Sequence, residues 1–316
     1  MHRQCGDGRF RRLVEARSGN FLRRCDSRGI AASLGAEVDA FVTGRRRSRP
    51  RWGQNFLVAP DVARSIVEWA DVKGRRVLEI GPGKGALTGL LLERAAFVRA
   101  VEIDPSLAED LKREYFSDTR LEVVVDDVLR VPMESILDPD MTVVANLPYE
   151  SATAIIRALL DAIPAPREIV VMVQREVCRR LAASEGDKEY GLLGLHTSLR
   201  ADVEPGRVIP PGCFRPIPQV DSQLVRLRPL GRLRCEVGDV KLFSEIAAVA
   251  FHARRKMVRN SVVPFLRGRI GADAVEAVMR DSGIDETLRP ERISLSTFAR
   301  LSGLVHAQIE GHAGVA

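Results

Sequence analysis

The sequence predicts an α/β fold, with a parallel sheet carrying helices on both faces, followed by a small all-helical domain at the C-terminus. Three observations predict it. From Arg75 onward, short apolar runs of strand length alternate with segments of helical length. The first of these runs ends in a glycine-rich turn that opens the next helix. From about Val240 the strand-like runs stop and only helical spacing remains.

The elements follow in order. Arg76–Ile80 reads as a buried strand and residues 86–94 as a helix. Residues 98–103 form a second strand. Pro105 sits where the next helix begins, and 106–115 continue it. Leu121–Val125 is a third strand. Residues 142–145 are a fourth, followed by a helix over 151–160. Residues 169–173 are a fifth, followed by a helix over 176–183. Two more strand-like runs lie near 195–203 and 223–227. Beyond them Ile246, Val249 and Ala250 share one helical face, followed by Met257, Val258 and Val262. No internal repeat or low-complexity tract interrupts the chain. The expected division is an N-terminal extension over 1–45, an α/β domain over 46–230 and a helical domain over 231–316. In such a sheet the ligand belongs at the carboxyl ends of the strands.

Bulk properties narrow the class. A chain of 316 residues with 45% hydrophobic content can bury one large core and a smaller one. Lys and Arg number 48 against 42 acids, a net charge of +6 that suits a polyanionic partner without requiring one. The five cysteines form neither a Cys-x-x-Cys pair nor a Cys/His ligand spacing, so no metal site is expected and the thiols read as reduced, in a cytosolic protein. No apolar run approaches the roughly 18 residues of a membrane helix. The first 40 or so residues are rich in Arg and Gly and lack an apolar period. Asp7, Glu15 and Asp26 argue against a mitochondrial transit peptide, and an over-early start codon is the other reading. Poor order is expected there. The run Gly44-Arg45-Arg46-Arg47-Ser48-Arg49-Pro50-Arg51 is either a solvated linker or an arm that contacts phosphates.

The segment Val77-Leu78-Glu79-Ile80-Gly81-Pro82-Gly83-Lys84-Gly85 is a strand, a glycine turn and a helix start. Its glycines allow a ligand close to the backbone, and their spacing is Gly-x-Gly-x-Gly, not that of a dinucleotide site. Glu102 ends the second strand, where an acid can accept hydrogen bonds from both hydroxyls of a ribose. Asp127, or its neighbour Asp126, follows the third strand and can receive an adenine amine. No arginine is placed for a 2′-phosphate and no second glycine motif for a pyrophosphate. This favours S-adenosylmethionine (SAM), which has a ribose and an adenine but no phosphate, over NAD.

Asn146-Leu147-Pro148-Tyr149 follows the fourth strand. Asn and Pro also build ordinary turns. Their chemical reading is more specific. The N6 lone pair of adenine is delocalised into the ring and is a poor nucleophile. The Asn146 side-chain carbonyl and the Pro148 backbone carbonyl can each accept one N6–H, which favours a pyramidal nitrogen. Tyr149 offers a stacking face, worth roughly 1–3 kcal/mol. Positioning and electrostatics can then supply most of the catalysis.

These motifs, with others in order along the chain, make it resemble the rRNA adenine N6-dimethyltransferase family, most closely its bacterial small-subunit branch. The marks are Gly53-Gln54-Asn55-Phe56-Leu57, Glu79 to Gly83, Glu102-Ile103-Asp104, Asn146 to Tyr149, and Gln174-Arg175-Glu176-Val177 with Arg180-Leu181. Tyr190-Gly191, the segment from Phe214 to Ser222, Arg254-Arg255-Lys256 and Arg259-Asn260-Ser261 complete them. The resemblance runs from about Arg51 to about Phe298 and implies a Rossmann-like class I SAM methyltransferase domain. It implies cofactor contacts from Asn55, Leu57, Gly81, Gly83, Glu102, Ile103, Asp127, Val128 and Asn146. Asn146, Pro148 and Tyr149 would hold the target base, with Phe214 on its opposite face. RNA contacts would come from Arg175, Arg254, Arg255, Lys256 and Arg259, with Arg179 and Arg180 beside them. The implied reaction is dimethylation of two adjacent adenosines in the hairpin loop near the 3′ end of small-subunit rRNA, on an assembling 30S subunit, by a cytoplasmic monomer. Glu150 departs from the Asn or Gln usual after the tyrosine; a carboxylate there could repel phosphate or cap the next helix.

Three rival readings remain at this point. An Erm-type enzyme acting on large-subunit rRNA shares the cofactor motifs, but Leu147 and the Phe214 to Ser222 segment favour the small-subunit type. Intact Gly81, Glu102 and Asn146 disfavour a catalytically silent RNA-binding factor. The glycine spacing and the Asn146 motif oppose a dehydrogenase. His196 and His252 read as structural.

Overall fold

The computed structural model describes residues 54–313. The expected extension over 1–45 and the basic run over 44–51 lie outside the described residues. The described chain opens with β1 (Phe56–Leu57) and α1 (Pro60–Trp69). It continues through β2 (Arg76–Ile80), α2 (Thr88–Leu92), β3 (Phe97–Glu102), α3 (Pro105–Glu114), β4 (Leu121–Val125) and α4 (Met133–Ile136). Then come β5 (Thr142–Asn146), α5 (Ala152–Asp161), β6 (Glu168–Gln174), α6 (Arg175–Ala182), α7 (Leu192–Arg200) and β7 (Ala201–Ile209). After β8 (Phe214–Arg215) and β9 (Ser222–Pro229) the chain is helical: α8 (Val240–His252), α9 (Val262–Ile270), α10 (Ala272–Ser282) and α11 (Leu295–Ala313).

The main sheet has seven strands in the order β4-β3-β2-β5-β6-β9-β7. Strand period 2 distributes each strand between two cores. Ile169, Val171 and Val173 of β6 join one core with Val143 and Ala145 of β5 and the α5 residues Ile155, Ile156 and Leu159. Val144, Val170 and Met172 join the opposite core with Ile66 and Val67 of α1 and Leu91 of α2. Burial on both faces is why these strands read as continuous apolar runs. Helix starts follow local chemistry: Pro105 occupies the first turn of α3, and the Asp104 side chain caps it by accepting from the Ser106 amide at 2.9 Å.

Two expectations are corrected. The sheet is mixed: β2 to β6 run parallel, but β9 pairs antiparallel with β6, and β7 antiparallel with β9. Strand β7 arrives through α6 and α7 and keeps the direction of β2 to β6, whereas β9 returns from it without a helical crossover and inserts between β6 and β7, so only β9 reverses. Residues 195–200, expected in a strand, belong to α7. Seven of its nine residues are buried, so it lacks a polar face and periodicity cannot distinguish it from a strand.

The C-terminal helices build their own core around Phe243, Ile246, Val262, Leu266 and Leu301. That core also takes Tyr190, Leu195 and Leu199, whereas Leu193 of the same helix α7 packs into the sheet core. Helix α7 is therefore shared between the two cores. His196 on α7 is buried against the Ser244 hydroxyl at 3.3 Å, and burial pushes its pKa down to about 4, so it is a neutral packing residue. No described helix is long and apolar enough to cross a membrane.

Candidate active site

Register aligns the strand ends on one edge. Ile80 lies opposite Val101 on one side and Ala145 on the other; Glu102 lies opposite Val125, and Asn146 opposite Met172. The chain builds outward from β2 to β4, then returns to β5 on the other side of β2. The crevice for a ligand therefore opens between β2 and β5.

A pocket occupies this crevice. Its walls include Asn55, Leu57, Gly81, Gly83, Glu102, Ile103, Asn146, Pro148 and Tyr149, so the structure brings together most of the residues singled out in the sequence. Gly81 and Gly83 have φ of +65° and +57°, a backbone region that residues with a Cβ rarely adopt. That conformation turns the Gly83 amide toward Glu102. The Glu102 carboxylate accepts from Gly83 N at 2.9 Å through Oε2 and from Asp104 N at 3.0 Å through Oε1. Burial raises its pKa, and the two amides oppose that rise. The carboxylate is thus fixed in place on the pocket wall, with lone pairs left over for the hydroxyls of a ribose.

Other expected cofactor contacts sit beside the pocket rather than on its wall. Asp127 is half-buried and accepts from Leu129 N at 3.0 Å, while Val128 is buried in the sheet core. The adjoining Asp126 donates its amide to the Glu102 carbonyl at 3.1 Å, which places this turn next to Glu102 on the same edge. Glu79 lines the pocket although the sequence analysis gave it no role. It is buried and accepts from Thr88 Oγ1 at 2.7 Å; burial pushes its pKa up to about 8, so it is largely protonated at neutral pH. An acid inside an otherwise apolar strand was the signal for it.

On the acceptor side, the Asn146 amide donates to the Asn55 carbonyl at 3.1 Å. That carbonyl can only accept, so the Asn146 nitrogen must face it and Oδ1 must face away. The Pro148 carbonyl accepts the Ala152 amide of α5 at 2.9 Å and retains its second lone pair. Tyr149 is half-buried, its hydroxyl 2.8 Å from Ser222 Oγ, and burial raises its pKa, keeping the phenol neutral. Glu150 is exposed and caps nothing: the Ser151 start of α5 has no side-chain cap.

Phe214 is not where it was expected. Its ring is fully buried behind β1, opposite Leu57 in the β1–β8 ribbon, and it lines no part of the pocket. Neighbouring residues of a strand point to opposite sides, and the alternative to burying Phe214 was to bury Arg215. In this conformation Phe214 shares a core with the pocket-lining Leu57 and offers no stacking face.

The expected RNA-binding residues divide. Arg175 and Arg254 line a groove beside the acceptor end of the site, with Arg179, Arg180 and Lys188. Arg175 is 3.3 Å from Asp221, and Arg254 pairs with Glu291 at 3.9 Å and donates to the Lys188 carbonyl. Arg255, Lys256 and Arg259 are exposed but lie outside that groove. Among the described residues no His, Cys, Asp and Glu cluster could hold a metal.

A Rossmann-like sheet with a glycine turn, a ribose-ready acid and an amide acceptor at its switch point defines the methyltransferase class. Solved structures agree on the fold. A dimethyladenosine transferase from Plasmodium falciparum superimposes with a TM-score of 0.65 at 24% identity, covering 77% of this chain and 94% of its own. The 23S rRNA methyltransferase ErmE gives 0.58 at 26%, covering 79% and 99%. Among proteins of similar sequence, the ribosomal RNA small subunit methyltransferase A of Geobacter metallireducens is 38% identical over 261 residues, 81% of this chain and 94% of that protein. Its counterpart in Pseudomonas aeruginosa is 35% identical over 271 residues, 85% and 98%. The profile of the family "Ribosomal RNA adenine dimethylase" matches residues 45–301, and the chain belongs to that family.

Proposed function

We propose that this enzyme uses SAM to dimethylate the N6 amines of two adjacent adenosines in the hairpin loop near the 3′ end of small-subunit rRNA. It acts as a cytoplasmic monomer on the assembling 30S subunit. The observation that carries the reading is the orientation of Asn146. Its nitrogen is committed to the Asn55 carbonyl, so Oδ1 is left as an acceptor beside the free lone pair of the Pro148 carbonyl. Two acceptors and no donor suit a group that brings two N–H bonds, which is what the N6 amine of adenine brings.

Bound SAM supplies an electrophilic methyl on its sulfonium. The protein's part is to hold and orient. Asn146 Oδ1 and Pro148 O accept the two N6–H bonds and favour a pyramidal nitrogen with its lone pair free. Tyr149 stacks on the base while its hydroxyl stays anchored to Ser222. The Glu102 carboxylate, held by two amides, takes the ribose hydroxyls, and the Asp126–Asp127 turn takes the adenine end of the cofactor. No side chain needs to remove a proton before transfer, because the methylated amine becomes acidic and can lose one afterwards.

The small-subunit target is favoured over the Erm-type one by Leu147, by the Phe214 to Ser222 segment and by relatives at 35–38% identity that are named small-subunit methyltransferases. The test is methyl transfer from labelled SAM to small ribosomal subunits lacking this modification, with mass spectrometry of the nucleosides. Dimethyladenosine in small-subunit rRNA is expected. Label confined to large-subunit rRNA would overturn the reading.

A further inference from the structure

Lys84 is the only Lys or Arg on the wall of the cofactor pocket, among the described residues. The acids that share the pocket, Glu79 and Glu102, are buried and already engaged with Thr88, Gly83 and Asp104. Lys84 makes no ion pair among the described residues. Its ammonium instead lies 5.0 Å from the centroid of the Phe56 ring. That ring packs on the glycine turn so closely that a Cβ at Gly83 would come within 3.2 Å of it. Lys84 is exposed, and the Phe56 ring gives its ammonium a resting place over the turn. The result is a positive charge without an ion-pair partner among the described residues, on the pocket-lining loop after β2, the strand that lies between β3 and β5.

The chemistry of SAM leaves one group for that position. Its ribose is assigned to Glu102, and its methyl must face Asn146, on the other side of β2. The remaining branch at the sulfur is the amino-acid tail, which ends in a carboxylate. We infer that Lys84 binds this α-carboxylate, as a cofactor-binding residue beyond the glycine turn itself. The inference rests on the SAM reading and adds a contact to the half of the cofactor that remains after methyl transfer. Lys84 therefore holds SAM and its demethylated product, S-adenosylhomocysteine, equally. It sets affinity for the cofactor and leaves the chemical step alone.

The test is calorimetric binding to the full chain and to its Lys84→Met and Lys84→Arg variants. Three ligands are used: SAM, S-adenosylhomocysteine and 5′-methylthioadenosine, which has the ribose, adenine and sulfur but no amino-acid tail. Lys84→Met should weaken SAM and S-adenosylhomocysteine alike, by roughly two- to fivefold, the range of an ion pair near the surface. It should leave methylthioadenosine unchanged, and Lys84→Arg should recover most of the loss. Unchanged S-adenosylhomocysteine affinity in Lys84→Met would overturn the inference. So would an equal loss for methylthioadenosine, which would make Lys84 a support for the turn. Failure of the wild-type chain to bind SAM would overturn the cofactor reading itself, and it would be seen before any variant is compared.

Discussion

The two halves of the site are built on opposite plans. On the cofactor side, polar groups are buried and satisfied within the protein: Glu102 by two amides, Glu79 by Thr88. On the acceptor side, hydrogen-bonding capacity is left open: Asn146 Oδ1, a lone pair of Pro148, and the cations Arg179, Arg180 and Lys188 along the neighbouring groove, for which no ion pair is found among the described residues. A ligand that is identical in every turnover can be met by a preformed cavity. A base that must leave its own stack has to be met by groups still free to bond.

The largest expected effect falls on the acceptor side. Asn146→Ala should lower kcat by about 10²–10³-fold, the usual cost of losing one charge-positioning group, in single-turnover methyl transfer. A loss that appears only in RNA binding would blur the contrast. Next comes the cofactor side. Glu102→Ala leaves two amides without their acceptor and removes the proposed ribose partner. SAM affinity should fall about 100-fold by calorimetry, with lowered thermal stability.

Glu79 tests how dry the preformed half is. Its pKa of about 8 lies above that of the unfolded chain, about 4.5, so the folded state binds the extra proton between these values. Stability is therefore full below the unfolded pKa and falls as pH rises toward the folded one, by about 1.4 kcal/mol per pH unit, or tenfold in the folding equilibrium. Glu79→Gln should flatten the pH dependence of denaturant unfolding between pH 5 and 8. An unchanged slope would mean that water reaches the carboxyl. The smallest effect is expected from the groove. Arg179→Ala should weaken rRNA binding several-fold at moderate salt and reduce the slope of log affinity against log salt by about one, whatever the RNA sequence.

The same contrast explains what could be read in advance. The strand ends and the glycine turn were legible because strands β2, β5 and β6 are buried and largely apolar and end abruptly at Gly81, Asn146 and Gln174. Helix α7 was not, because burial on nearly every side removes its amphipathic period. The reversal at β9 was not, because strand direction depends on how the connection returns, and residues 211–221 carry no helix long enough to signal a crossover. The Asn146 motif was legible as a segment at a strand end, but the partner that orients it, the Asn55 carbonyl, is a backbone atom 91 residues away and leaves no mark on side-chain identity. Phe214 was misplaced for a related reason: in a strand of two residues, no alternation exists from which to read the inward face.

The β1–β8 ribbon has a consequence for how the enzyme works through successive rounds. One of its strands carries Phe56 and Leu57 at the cofactor pocket; the other begins the loop that ends at Ser222, which holds Tyr149. The two ends of the proposed site thus connect through one small element, and any gain in rRNA affinity conferred by SAM is returned as an equal gain in SAM affinity conferred by rRNA. A second methyl on the same nitrogen requires spent cofactor to be exchanged for fresh. On the proposed function, losing cofactor support at the ribbon during that exchange should relax the grip on the base. Monomethylated adenosine should then escape and accumulate when SAM is scarce, which mass spectrometry of nucleosides from limiting-SAM reactions checks.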